Sequence, residues 1–166
     1  TIVYFYYKTI NIIIKNLLLL YSNFDVIIKE SFSKGTEGEM KVGVKNQIKK
    51  TVVEELTAKV MGSGRLDVFA TPAMVAMMEE AAHTSVEPEL DEGQGTVGTS
   101  MTVSHIAATP VGMEVTCESE LVEVDGRKLV FKIKAMDEAG LIGEARHERF
   151  IIENEKFLAK TNAKLK

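Results

Sequence analysis

Val68–Ala82 reads VFATPAMVAMMEEAA, and Ser100–Pro110 further on reads SMTVSHIAATP. The two stretches have different periods, and that difference decides the architecture. In the first, Met74, Val75, Met77, Met78, Ala81 and Ala82 cover most of a helical circumference over two turns, the mark of a buried helix rather than a surface one. Thr71-Pro72 is a strong helix start, with Thr71 as N-cap and Pro72 in the first helical position, where its missing N–H costs nothing. The pattern carries a helix from there to about Val86. In the second stretch apolar residues fall at alternate positions, as they do in a half-buried strand.

After the glycines Gly93, Gly95 and Gly98, four long strand-like segments follow at Thr96–Ala107, Met113–Val124, Lys128–Met136 and Leu141–Ile152. Asp125-Gly126 reads as a two-residue hairpin turn and Asp137–Gly140 as a four-residue one. Before the helix, Thr51–Thr57 (TVVEELT) has the β-branched content of another strand. One buried helix followed by an antiparallel meander is an α+β arrangement. Its simplest packing curls the sheet around the helix, the layout called the hotdog fold. Lys156–Lys166 reads as a polar, basic tail.

The 166 residues suffice for one domain with a real core, and 27% charged against 45% hydrophobic is the balance of a globular chain. A net charge of −4 argues against nucleic acid as a partner. The single cysteine, Cys117, excludes an internal disulfide, fits a reducing, cytoplasmic setting and reads as a packing residue. The three histidines lie far apart, so no metal-ligand spacing appears.

Composition changes abruptly at Met40, the first methionine. All four tyrosines precede it, and the first alanine is Ala58. The apolar runs Ile12–Ile14 and Leu17–Tyr21 are broken by Lys15 and Asn16, short of the ~20 residues a membrane span needs. Residues 1–39 therefore read as an N-terminal extension, either translated upstream sequence, the reading favoured here, or an extra packing element. Residues 40–166 form the domain.

Reactive groups are few. Glu79 places a carboxylate among Met77, Met78, Ala81 and Ala82, costly to bury unless paired or functional. Burial would suit it to general-base work, and the bland alternative is that it points to solvent beside Glu80. His105 stands among small and apolar neighbours and alone reads as a structural histidine. His83 and His147, flanked by charged or polar residues, read as lying on a wet face. Gly93–Gly98 formally matches G-x-G-x-x-G but lacks the preceding strand and following helix of a dinucleotide site. Its glycines read as a turn that brings backbone close to something. No cofactor is implied.

Taken together, VFAT (68–71), the methionine-rich run through Glu79, GTVGT (95–99), SHIAATP (104–110), HER (147–149) and EKFLAK (155–160) resemble the fluoroacetyl-CoA thioesterase family, hotdog-fold acyl-CoA hydrolases. The gaps of eight residues from Thr71 to Glu79 and twenty-six from Glu79 to His105 agree with that family's pattern. The resemblance covers about Met40 to Lys160. It implies a catalytic set of Thr71, Glu79 and His105, a backbone amide at Gly98 near the thioester carbonyl, and Arg149 near the substrate. It also implies an acyl-CoA substrate, with coenzyme A entering only as part of it, and a homodimer, a tetramer being left open.

Pro72 and Glu80 replace a glycine and an aromatic of the fluoroacetyl-selective enzyme, and Met61–Leu66 lacks its lid phenylalanines. These departures point to a general short- or medium-chain acyl-CoA. Two chemical routes stay open, water activation by Glu79 or its direct attack to give an anhydride. The rival readings are a non-catalytic acyl-CoA sensor and a hotdog dehydratase on the same fold. Geometry adds a constraint, because eight helical residues span ~12 Å, so Thr71 and Glu79 of one helix cannot touch. Completion across a dimer interface is one solution.

Overall fold

The computed structural model describes residues 40–165. The opening 39 residues, and with them both readings of that extension, lie outside the described residues. The elements are β1 (Lys45–Thr51), α1 (Thr71–Val86), β2 (Gln94–His105), β3 (Glu114–Asp125), β4 (Lys128–Asp137), β5 (Gly140–Glu153) and α2 (Asn154–Asn162). Single 3-10 turns occupy Glu54–Leu56, Glu87–Glu89 and Ala163–Leu165.

The five strands form one antiparallel sheet in the order β1-β3-β4-β5-β2. β3, β4 and β5 are the meander, and β1 and β2 flank it on opposite edges. The chain therefore crosses the whole sheet between β1 and β2, and α1 is the element that makes the crossing. It lies on the sheet through Ala73, Met74, Met77, Met78, Ala81, Ala82 and Val86, all buried. Opposite them stand Val115, Cys117 and Leu121 of β3, Phe131 and Ile133 of β4, and Ala145 of β5. Burial of each large side chain contributes about 1.5–3 kcal/mol. Helix and sheet approach closely at Gly143, where a Cβ would lie 2.8 Å from the Met74 side chain. Among the described residues nothing covers the opposite face of α1: Ala76 is exposed, and Glu79, Glu80 and His83 are half-buried. The all-round burial expected from composition is therefore a one-sided packing.

Three local expectations are corrected. The first strand is Lys45–Thr51, not Thr51–Thr57, and Glu54–Leu56 of that segment is a 3-10 turn. Val52 is buried but Val53 is 46% exposed, so the β-branched pair does not mark a strand. The β3–β4 turn is Gly126–Arg127, because Asp125 still pairs with Lys128. Gly126 takes φ +55° at the first central position, where a two-residue hairpin needs a positive φ. Finally, the β4–β5 turn is the two residues Glu138–Ala139 rather than the four of Asp137–Gly140, because Asp137 pairs with Gly140; Asp137 Oδ1 accepts the N–H groups of Ala139 (2.8 Å) and Gly140 (3.2 Å). The segment read only as a polar, basic tail is helical over residues 154–162.

Among the described residues no helix is long and apolar enough to cross a membrane, and no cluster of His, Cys, Asp or Glu could hold a metal ion.

Candidate active site

The helix α1 carries reactive groups at two places about two turns apart. At its start, Thr71 is the first helical residue, and the N-cap is Ala70, which makes no side-chain cap bond. The capping role expected for Thr71 is thus not the one it fills. Its hydroxyl instead meets Nδ1 of His105, the last residue of β2, at 2.9 Å. Phe69 sets its ring edge-on to the imidazole at 6.4 Å between centroids. Nε2 of His105 is buried and has no hydrogen-bond partner among the described residues. In either tautomer, then, one polar ring atom is left unsatisfied, an arrangement that costs about 1–3 kcal/mol. A cleft of about 290 Å³ opens over Thr71, His105 and Ile106.

Eight residues on, Glu79 leaves α1 toward β2 and β5, while its neighbour Glu80 turns the other way and pairs with Lys50 of β1. Successive helical residues diverge by about 100°, which sends two adjacent carboxylates to opposite edges of the sheet. The Glu79 side chain is 44% exposed, so within one chain it is not the desolvated carboxylate that the apolar sequence around it suggested. Its Oε1 lies 3.9 Å from Nη1 of Arg149 and 3.7 Å from Nε2 of His147. A Cβ on Gly98 would come 2.7 Å from the same oxygen and 3.1 Å from Cε1 of His147. Only glycine leaves the carboxylate its place, and the β2 backbone forms the floor beneath it. This resolves the glycine motif: Gly93 makes the turn with φ +85°, Gly95 leaves room for the Asn154 side chain, and Gly98 for Glu79. A cavity of about 520 Å³ spans Glu79, His83, Thr96, Gly98 and Arg149.

Arg149 is buried and held on three sides. Nε donates to Thr96 Oγ1 and Nη2 to the Thr96 carbonyl, both at 2.8 Å. Nη1 donates to His147 Nε2 at 3.0 Å. An always-charged guanidinium can donate there only if that nitrogen is unprotonated. Accordingly, His147 Nδ1–H donates to the Ser100 carbonyl at 2.9 Å, and burial pushes the imidazole pKa below 6.5. The 3.7 Å approach to Glu79 is therefore not an ion pair. His147 is a neutral strut, and Arg149 is the cation that faces the carboxylate. The expectation that His147 lies on a wet face is overturned, since its side chain is 1% exposed. Its flanking residues Arg146 and Glu148 misled because strand neighbours point to the opposite face. Alternation from Ala145 through His147 to Arg149, all buried, was the signal available.

The chain thus joins Thr71 to His105, and Glu79 to Gly98 and Arg149, but keeps the two groups apart. A β-bulge between Gly98 and Ser100 makes the separation usable. Gly98 and His105 are an odd number of residues apart and would ordinarily face opposite sides. The extra residue restores phase, and their β5 partners Arg149 and Gly143 are both on the buried face.

Comparison with known proteins agrees with this geometry. Residues 52–155 match the family model of the fluoroacetyl-CoA-specific thioesterases. A fluoroacetyl-CoA thioesterase from Streptantibioticus cattleyicolor is 45% identical over 98 residues, which are 59% of this chain and 70% of the relative. A crystal structure of the fluoroacetyl-CoA thioesterase FlK superposes with a TM-score of 0.71 at 37% identity, over 75% of this chain and 97% of the other. A hot-dog-like protein from Thermanaerovibrio acidaminovorans superposes equally well (0.71) over 80% and 98% of the two chains, and at 21% identity it speaks for the fold alone. Helix, sheet order, glycine-floored carboxylate and sequence match converge, and the chain belongs to the fluoroacetyl-CoA-specific thioesterase family.

Proposed function

We propose that the protein hydrolyses short- or medium-chain acyl-CoA thioesters to the free acid and coenzyme A, acting as a homodimer in the cytoplasm. Thr71, Glu79 and His105 form the catalytic set, and Gly98 and Arg149 line the substrate. The observation that carries this reading is the His105 ring, fixed through Nδ1 to a hydroxyl and left with a buried, unpartnered Nε2. A buried polar atom of that kind calls for a partner that the described residues of one chain do not supply.

The β2 edge supports a second copy as the source. Along Thr99–Ser104 this edge strand carries small polar groups (Thr99, Ser100, Thr102, Ser104), all exposed. An open strand edge is a template for pairing. If β2 pairs with its own copy about a two-fold axis between Met101 and Thr102, Gly98 of one protomer lies opposite position 105 of the other. Glu79, seated on Gly98, then comes beside the imidazole that lacks a partner, and the ~12 Å gap along α1 ceases to matter.

In the composite site the thioester carbonyl lies against the Gly98 backbone. A backbone amide there would stabilise the developing oxyanion. Glu79 activates water, or attacks the carbonyl itself to give an anhydride that water then cleaves, releasing the acid and restoring the carboxylate. The Thr71 hydroxyl, oriented by His105, hydrogen-bonds the reacting centre. As the new C–O bond forms the C–S bond breaks, and the coenzyme A thiolate leaves to collect a proton. Arg149 has three donors committed to the protein, so it acts on Glu79 mainly through charge. Cys117 is pushed up to about 12 by burial, so the protein's own thiol stays silent in a thiol-release assay.

That assay tests the proposal. Acetyl-, butanoyl-, octanoyl- and phenylacetyl-CoA are offered in turn, and release of free coenzyme A is expected from several. Binding of these esters without release from any of them would reject hydrolysis in favour of a sensor.

A further inference from the structure

The segment after β5, polar in sequence, puts two apolar side chains where the site can use them. Phe157 and Leu158 of α2 are 41% and 58% exposed, and with Val97 and Ile152 they border a cavity of about 540 Å³. α2 is tied to the start of β2: the Asn154 N–H donates to the Gly93 carbonyl (3.0 Å) and Asn154 Nδ2 to the Gln94 carbonyl (3.1 Å). This cavity and the one over Glu79 share His83, Thr96 and Val97, so the two adjoin.

We propose that they form one acyl groove, in which the chain of a medium-length, unbranched acyl group runs from the thioester carbonyl at Gly98 along Thr96 and Val97 to lie under Phe157 and Leu158. The inference rests on the thioesterase reading and names its substrate class. Gly98 and Gly95, which lines the α2 cavity, are three strand steps apart, ~10 Å, the reach of an extended octanoyl chain and far beyond that of acetyl.

The chemistry of the lining favours the acyl end of the substrate over the coenzyme. No lysine or arginine borders the α2 cavity, and Glu87 does, which is hostile to the phosphates of the nucleotide. Its polar side chains are already engaged with protein. His83 Nδ1 meets Glu87 Oε1 at 2.9 Å, Gln94 Nε2 donates to Glu153 (3.2 Å), and Asn154 holds β2. What remains for a ligand is the apolar surface. Each methylene buried there is worth roughly a fourfold gain in kcat/KM.

The test compares kcat/KM for octanoyl-CoA and acetyl-CoA in the wild-type protein, in Leu158→Glu and in Phe157→Ala. Glutamate keeps the helix propensity of this exposed position, so α2 survives the change. The octanoyl-to-acetyl ratio is expected to fall roughly tenfold or more in Leu158→Glu, for loss of about two methylenes of burial, and by less in Phe157→Ala. An unchanged ratio, or an equal fall for both substrates, overturns the proposal. Repeating the comparison with N-acetylcysteamine thioesters, which lack the nucleotide and most of its arm, separates the alternatives. If the ratio shift vanishes there, the coenzyme arm fills the cavity and the proposal is wrong. Calorimetric affinities for the two CoA esters are measured in parallel. A protein that binds octanoyl-CoA more tightly through Leu158 yet hydrolyses nothing would refute the thioesterase reading while upholding the groove.

Discussion

Thr71 and Glu79 ride on one helix, yet their surroundings differ in kind. The Thr71 end is uncharged in its contacts: a hydroxyl, an imidazole and the edge of Phe69, with one ring nitrogen buried and unmet. The Glu79 end is a charged assembly in which a half-exposed carboxylate faces a buried guanidinium, itself locked by Thr96 and by a neutral His147. One end has an orphaned polar atom among uncharged contacts. The other has a charge open to solvent, and the hydroxyl beside it, that of Thr96, is committed to Arg149. Each lacks what the other has, and a helix of fixed pitch prevents them from meeting within one chain.

The largest effect is expected where this division is attacked directly. Glu79→Gln keeps the shape and removes the charge, and should lower kcat by about 10²–10⁴-fold. Thr71→Ala should also be strongly impaired. Mixing the two inactive variants and allowing subunits to exchange then separates the assemblies. If each site takes Thr71 and His105 from one protomer and Glu79 from the other, a mixed dimer contains one intact site. Random pairing should then restore about a quarter of wild-type activity. No recovery, under conditions where mass spectrometry shows mixed dimers, would mean that the two ends of α1 do not collaborate across an interface.

A smaller effect is expected at Gly98, and it sharpens the contrast because the Thr71 end has no equivalent glycine. A methyl group there would intrude on Oε1 of Glu79 at 2.7 Å and on the His147 ring at 3.1 Å. The carboxylate is the tip of a flexible chain and can retreat, whereas His147 is packed in place. Gly98→Ala should therefore displace Glu79 with little loss of thermal stability. A shift of about 1 Å in a reacting group can cost on the order of 10²-fold in rate. A variant with wild-type kcat and an unaltered melting temperature would show that the carboxylate does not rest on this glycine during turnover.

How much of this was legible beforehand depends on where each residue faces. The bounds of α1 and the four long strands could be read because apolar residues repeat at 3.6 and 2.0 over ten residues or more. β1 could not. It is an edge strand bearing Lys45, Lys49 and Lys50, and half-buries only Asn46 and Ile48, so its hydrophobic signal is nearly absent. At the site, the resemblance to a known family singled out Thr71, Glu79 and His105, where the residues alone left a helix cap, an ambiguous carboxylate and a structural histidine, and spacing does not encode the path of β2. The pairing of Thr71 with His105, and of Glu79 with Arg149, follows from the bulge at Gly98 and from the strand order. His147 was lost by reading neighbours in sequence where every second residue was the relevant context.

The smallest effect expected is a matter of pH, and it belongs to the charged end. Burial lowers the His147 pKa, with the Ser100 hydrogen bond opposing it, Arg149 adding to it and Glu79 opposing it. In the unfolded chain the imidazole takes up a proton near 6.5, while in the folded protein it does so only at lower pH. Between those two values the unfolded state binds more protons, so stability rises with pH across the window. Acidification from pH 7.5 should therefore begin to weaken the fold near 6.5 and continue until the folded pKa is passed. The slope from this one group cannot exceed about 1.4 kcal/mol per pH unit. Glutamine at this position can still donate to the Ser100 carbonyl and accept from Arg149, but it cannot take up a proton. Chemical denaturation at pH 7.5 and 5.5 should accordingly show a larger loss in the wild-type protein than in His147→Gln. Equal losses in the two would mean that His147 is protonated in the folded state, that Arg149 is not held as described, and that Glu79 faces two cations instead of one.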